Sequence, residues 1–371
     1  MVTYPEDWKK VKLGEVLSYT QPTNFIENNY VKHGAVPVLT AGKSFILGYS
    51  NKTNSAYQNL PTILFDDFTT EVRYLDYPFM VKSSATKFLN IKNDDYDVKF
   101  LFYWLDQLNF QIEAHERHWI SRFSKFNPAF PLLREQQSIA STLSDFDEHI
   151  DNLTELIEKK KAIRDGALED LVSGRTRIDG FDGEWKEELL DDLVSFINGQ
   201  AHEKDMSENG KYIVVNSKFI STNGDVKKRS NKRNQPANSS DILMVMSDLP
   251  NGKALGKCYY VEKDNIYTVN QRICVLSNSK INSKLLYYLT NRNKYFLEFD
   301  DGVNQTNLRR EDVLNCLIKY PVSRKEQQAI ASVLTAMDEE IESLKVEKEK
   351  MIQIREGAMD DLLTGRVRLK V

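Results

Sequence analysis

One helix is written twice in this chain: residues 135–150 read EQQSIASTLSDFDEHI and residues 326–341 read EQQAIASVLTAMDEEI. The correspondence runs without a gap from Arg134 to Ile178 against Lys325 to Leu369. About half of the positions are identical, which marks a true duplication and not shared helical composition. In the first copy Ile139, Leu143, Phe146, Ile150, Leu153 and Ile157 alternate in steps of four and three, the a/d seam of a coiled coil, and Ile330, Leu334, Met337, Ile341 and Leu344 repeat it. Continuing each register reaches Ala167 and Leu171, and Met351, Ala358 and Leu362. Lys160, Arg164, Lys348 and Arg355 interrupt the stripe, and polar seam residues fix register at a cost in stability. A helix of about 40 residues is about 60 Å long, too exposed to stand alone. The two seams are buried most economically by antiparallel pairing about a pseudo-two-fold axis.

The ends of both helices can be read. Each stops at a glycine flanked by cations, Ser173-Gly174-Arg175 and Thr364-Gly365-Arg366, as a C′ glycine near the negative helix end requires. Ser323 and Glu326 have the spacing of a capping box, whereas the first copy has Leu132 where the serine would stand. The interior glycines Gly166 and Gly357, each costing about 1 kcal/mol relative to alanine, are expected to mark close backbone approach.

A weaker repeat, YPEDWKKVKLGEV at residues 4–16 and FDGEWKEELLDDLV at 181–194, precedes the text between the helices, so the order is short motif, variable segment, long helix, twice. The variable segments carry strand-like runs, TILFDDF in the first and YIVVN, DILMVMSD and TVNQRICVL in the second. Each is followed by an aromatic helical stretch, VKFLFYWLDQLNF or SKLLYYLTNRNKYFLEF, and by Pro131 or Pro321 just before the long helix. The fold class expected is α+β: two globular domains joined by two long helices that form an antiparallel coiled coil with pseudo-two-fold symmetry.

Bulk composition narrows the class. The 371 residues carry 50 Lys and Arg against 54 Asp and Glu, a net charge of -4, so a generally basic protein is excluded while local basic segments are not. Without an apolar leader or membrane-length apolar run, a cytoplasmic location is expected. Cys258, Cys274 and Cys316 have neither disulfide nor zinc spacing and are expected to be buried thiols.

Base edges in DNA grooves are read by Arg or Lys on guanine and by Asn or Gln on adenine, with further cations on phosphates. Such residues gather in both variable segments. In the first they are Lys43, Arg73, Lys82, Ser83, Ser84, Lys87, Arg117 and Arg122. In the second they are Asn216, Lys218, the basic run Lys227, Lys228 and Arg229, then Lys253, Gln271, Arg272, Gln305 and Arg309.

The helix text, with IRDGALEDLVSGR at residues 163–175 and IREGAMDDLLTGR at 354–366, resembles the specificity subunits of type I restriction-modification enzymes over nearly the whole chain. That resemblance implies a target recognition domain over residues 1–133 and a central conserved helix over 134–174. It implies a linker with a second recognition domain over 175–324 and a second conserved helix over 325–371. Each domain would read one half of a bipartite, asymmetric DNA target, and the helices would set the spacer and dock two modification subunits. Gln136, Gln137 and Arg164, with Gln327, Gln328 and Arg355, are the candidate partner contacts. The chain itself would need no cofactor and have no catalysis: S-adenosylmethionine would serve the modification subunits, and ATP and Mg the restriction subunits, of which two are expected.

Alternatives are a self-contained DNA methyltransferase or nuclease and a coiled-coil scaffold for proteins. The first rests on weak text. Asn127-Pro128-Ala129-Phe130 is a degenerate amino-methyltransferase site, and Asp66, Asp67, Glu71 and Arg73 are spaced loosely for a metal cluster. AGKSF at residues 41–45 lacks the first glycine of a phosphate loop, and His115 and His118 lack a third ligand.

Overall fold

A computed structural model of the chain describes residues 4–40, 44–108, 117–249, 252–278 and 280–370. Residues 1–155 with 345–371 form one compact unit and residues 156–344 a second. The boundary falls inside both long helices, Leu133–Ser173 and Arg324–Leu362, so each unit owns one variable segment and half of each helix. That division differs from the linear one expected from the repeat.

In the first unit an antiparallel sheet has the strand order Leu17–Thr20, Thr86–Ile91, Thr62–Asp66, Val72–Leu75. A smaller sheet has the order Ile46–Ser50, Val36–Leu39, Met80–Val81, its last two strands parallel. The second unit repeats this topology: Val194–Asn198, Ile273–Asn278, Ile242–Val245, Cys258–Tyr260 in the larger sheet, and Lys228–Ser230, Tyr212–Val215, Tyr267–Val269 in the smaller. The duplication therefore covers the variable segments too, although their text has diverged. The run TVNQRICVL, expected as one strand, is two. Asn270 accepts a backbone hydrogen bond from Ile273 at 2.9 Å, and this tight turn lifts Gln271 and Arg272 out of both sheets.

The aromatic helices form where expected, Val98–Gln107 and Ser283–Thr290, each N-capped by a side-chain oxygen, from Asp97 to the Phe100 amide and from Asn282 to the Leu285 amide, both 2.8 Å. Their apolar faces meet the long helices. In the first unit Phe100, Leu101 and Trp104 share a core with Ile139, Leu143, Met359 and Leu362, so both long helices contribute to it. In the second, Leu285, Leu286 and Leu289 pack with Leu171, Ile330 and Leu334. The predicted seam is thus the buried face. All three cysteines are buried and free, and burial pushes the Cys258 and Cys316 thiols up to about 12.

Within each unit the halves of the two long helices are bound by the same polar set. Asp147 accepts from the Tyr103 hydroxyl at 2.6 Å and from Arg355 Nε at 2.5 Å; Asp338 accepts from Tyr288 at 2.7 Å and from Arg164 Nε at 2.8 Å. Burial pushes both tyrosine hydroxyls above their ordinary range, keeping them protonated donors. Lys160 adds a 2.6 Å pair with Glu340.

Three expectations are corrected. Arg164 and Arg355, read as partner contacts, are half-buried seam residues whose guanidinium groups these aspartates engage. Gln136 and Gln327 are internal, almost fully buried. Gln136 takes the Asp97 amide at 3.0 Å and gives to the Pro131 carbonyl at 2.9 Å, while Gln327 takes the Asn282 amide and gives to Pro321, both at 2.8 Å. Each glutamine ties the start of a long helix to the cap of an aromatic helix. Finally, Gly166 and Gly357 face open space, where an added Cβ would meet nothing within 4 Å. They do not serve close packing.

Replacing either glycine by alanine is accordingly expected to stabilise the chain by about 0.5–1 kcal/mol, read as a raised denaturation midpoint. A lowered midpoint would contradict the open position found here.

Candidate nucleic-acid interface

The smaller sheet of each unit brings two loops to one place. Val38 and Leu39 pair in parallel with Met80 and Val81, and Val214 and Val215 with Thr268 and Val269. Parallel neighbours end side by side, so the chain leaves the sheet at Leu39 beside Val81, and at Val215 beside Val269. The equivalence reaches the backbone: the Lys82 amide donates to Leu39 at 2.9 Å and the Asn270 amide to Val215 at 3.0 Å. Crevices beyond the carboxyl ends of adjacent parallel strands, where loops diverge, are frequent ligand sites in open sheets.

In the second unit these loops line a cleft of about 410 Å³ formed by Asn216, Ser217 and Lys218 on one side and Asn270, Gln271 and Arg272 on the other. Asn216 caps a short helix through its side-chain oxygen, 2.9 Å from the Phe219 amide. Glu203, which no sequence pattern marks, joins the lining and accepts from Gln271 Nε2 at 3.3 Å. Its carboxyl lies below the ordinary range, held there by its own backbone amide and then by Gln271.

Two further groups of predicted residues stand elsewhere on this unit. Lys227, Lys228 and Arg229 wall a second concavity of about 460 Å³ with Met206, Ser207 and Glu208. Lys253, Gln305 and Arg309 are exposed around the two-stranded ribbon of Ser247–Asp248 and Thr306–Asn307, where Gln305 Nε2 donates to the Ser247 hydroxyl at 2.9 Å.

In the first unit Lys82, Ser83 and Ser84 occupy the place of Asn270, Gln271 and Arg272, with the Lys82 ammonium 5.1 Å from the Tyr30 ring centre. Lys43 lies outside the described residues. Arg73 is exposed on an edge strand, 5.8 Å from the Phe45 ring centre, and Arg117 and Arg122 flank a short helix. Lys87 is corrected: its side chain is fully buried and pairs at 3.2 Å with Asp67, equally buried, which also accepts from the Trp119 amide at 2.9 Å. It cannot reach a phosphate.

The alternative readings lose their residues to structure. Asp66 closes a turn by accepting from the Phe68 and Thr69 amides, and Asp67 holds Lys87. Ala129 and Phe130 pair as a strand with Lys9 and Lys10, and Phe130 is buried. No group of three His, Cys, Asp or Glu side chains among the described residues could hold a metal. His118 is buried, and His115 lies outside the described residues. No helix is long and apolar enough to cross a membrane, among the described residues.

The family profile described as type I restriction modification DNA specificity domain matches residues 5–162 and again 182–353. The chain belongs to that family. Each match covers one variable segment and most of the long helix after it. The chain is 25% identical to the MjaVIII specificity subunit of Methanocaldococcus jannaschii over 99% of this chain and 94% of that relative. It is 33% identical to the EcoR124I/EcoR124II specificity subunit of Escherichia coli, over 54% of this chain and 48% of that relative, so this second match spans about half of the E. coli protein. A solved type I restriction-modification S subunit from M. genitalium shares the fold at TM-score 0.68 and 20% identity, covering 96% of both chains.

If Lys87 serves the core, Lys87→Met should destabilise the first unit by about 3–5 kcal/mol, because Asp67 is left buried and unpaired. Denaturation would measure it. Unchanged stability with weakened DNA binding would contradict this assignment.

Proposed function

We propose that this chain is the DNA-reading subunit of a type I restriction-modification enzyme and carries no catalysis of its own. Each unit reads one half of a bipartite, asymmetric duplex target, and the long helices set the unspecified spacer between the halves. The observation that carries this reading is that one scaffold occurs twice with the same topology and polar ties, while the residues at the turn after the equivalent strand differ: Lys82, Ser83 and Ser84 against Asn270, Gln271 and Arg272. Constant support with variable reading groups is what recognition of two unlike half-sites demands.

Two modification subunits dock on the repeated helices and use S-adenosylmethionine to methylate adenine. Two restriction subunits, using ATP and Mg, complete the assembly, which works in the cytoplasm. With Gln136 and Gln327 buried, and Arg164 and Arg355 engaged by aspartates, the exposed Gln137 and Gln328 are the partner contacts of that set left open. Gln328 lines a concavity of about 570 Å³ with Tyr260, Lys284, Ser332 and Glu339. The exposed cations of both variable segments hold phosphates, so duplex binding by the assembly falls steeply as salt rises.

The test is to assemble the chain with its modification subunits and map the methylated sites. A bipartite target is expected, and replacing residues 11–130 with the matching segment of a relative should change one half only. A contiguous target, a swap that alters both halves, or methyl transfer by the chain alone would contradict the proposal.

A further inference from the structure

The cleft of the second unit contains one carboxylate among amides and cations. A carboxylate repels phosphate, so its presence makes this cleft a place for a base edge, with Lys218 and Arg272 left for the backbone. The chain fixes Glu203 there by two contacts. Gly199 lies so close to the turn at Asn270 that an added Cβ would stand 2.1 Å from the Asn270 carbonyl oxygen, so only glycine lets this loop approach. His202, the neighbour of Glu203, is buried, and its Nε2 lies 2.7 Å from the Thr268 hydroxyl, two residues before the turn that carries Gln271. Burial lowers the pKa of this imidazole, so it is held as a neutral group. Glu203 and Gln271 are therefore carried by two segments anchored to the same strand.

A primary amide has two N–H groups, one on the side of its oxygen and one pointing away. Glu203 accepts from Gln271 Nε2, and a carboxylate can accept only from nitrogen, which settles the amide's orientation. An outer N–H directed at Glu203 leaves the inner N–H and Oε1 side by side for a base edge. That pair matches adenine in the major groove, which offers N7 as acceptor and its exocyclic N6 amine as donor.

Resting on the DNA-reading function proposed above, we infer that Gln271 reads an adenine in the half-site of the second unit and that Glu203 is its positioning residue, holding the amide in the orientation that adenine requires. Guanine is rejected because its O6 would face the Gln271 oxygen, acceptor against acceptor. The first unit has Lys82, Ser83 and Ser84 at the corresponding turn and no glutamine, so this device belongs to one half of the target alone.

The test is methylation mapping with the assembled complex carrying Gln271→Ala, Glu203→Ala or Glu203→Gln. Gln271→Ala should lose about ten- to hundredfold of the discrimination at one A·T position, leaving the other half-site intact. Glu203→Ala frees the amide to turn over, which sets its oxygen against N7 and its N–H against the N6 amine, and should weaken the adenine preference at the same position. Glu203→Gln, which still offers an oxygen acceptor, should restore most of the preference, a rescue that loss of folding would not show. Full discrimination in Gln271→Ala, relaxation at a G·C position, or equal loss at every position would overturn the inference. If the unaltered complex yields a bipartite target while these variants read it normally, only the inference fails. If the unaltered complex yields none, the function proposed above fails with it.

Discussion

Everything in this molecule depends on a carboxylate that faces two ways. Asp147 takes a hydroxyl hydrogen bond from Tyr103 of the recognition segment and an arginine from the opposite long helix, and Asp338 does the same with Tyr288 and Arg164. Hydrophobic burial along a heptad seam holds two helices together but tolerates sliding by a heptad. A charged pair at a seam position does not, because a slip would leave both charges half-buried and unpaired. Since the same carboxylate also grips the tyrosine, the register of the helices and the position of the recognition segment are fixed by one group.

The surrounding contacts extend this tie to the helix ends. Arg368 makes a bidentate pair with Glu135 at 2.5 and 2.7 Å in the first unit, and Arg177 with Glu326 at 2.6 and 2.8 Å in the second. Each guanidinium also lies over a tryptophan, Trp8 or Trp185. The second of these pairs changes the reading of the capping box: Ser323 does accept from the Glu326 amide, at 3.5 Å, but the Glu326 carboxylate turns to Arg177 instead of reaching back. A planar, bidentate arginine is stronger than a cap, and both repeats use it. The repeated text EQQ thus has a role at two of its letters, the glutamate closing the helix end and the first glutamine holding the neighbouring cap.

Much of this was legible in the sequence. The seam, the helix stops, the aromatic helices and the short tryptophan motifs follow from spacing alone, because each has a periodic or capping signature. The cleft of the second unit was legible only in part. Asn216, Lys218, Gln271 and Arg272 were marked by residue type, and the structure brings them together because parallel strands end side by side, a pairing no local pattern reveals. Lys87 was misread because a lysine in a polar run looks solvated until the partner that buries it, Asp67, is seen across the fold. Arg164 and Arg355 were seen correctly as seam residues, while their aspartates were not. Aligning the two repeats would have found them, since Asp147 and Asp338 occupy one position and Tyr103 and Tyr288 another.

The central claim is that the paired helices hold two independent readers. It is tested most directly by inserting one heptad into both long helices at the unit boundary, after Glu155 and after Leu344, which preserves the seam. Methylation mapping of the assembled complex should then show a longer spacer with both half-sites unchanged. An unchanged spacer with both halves still recognised, or an altered half-site sequence, would contradict the account.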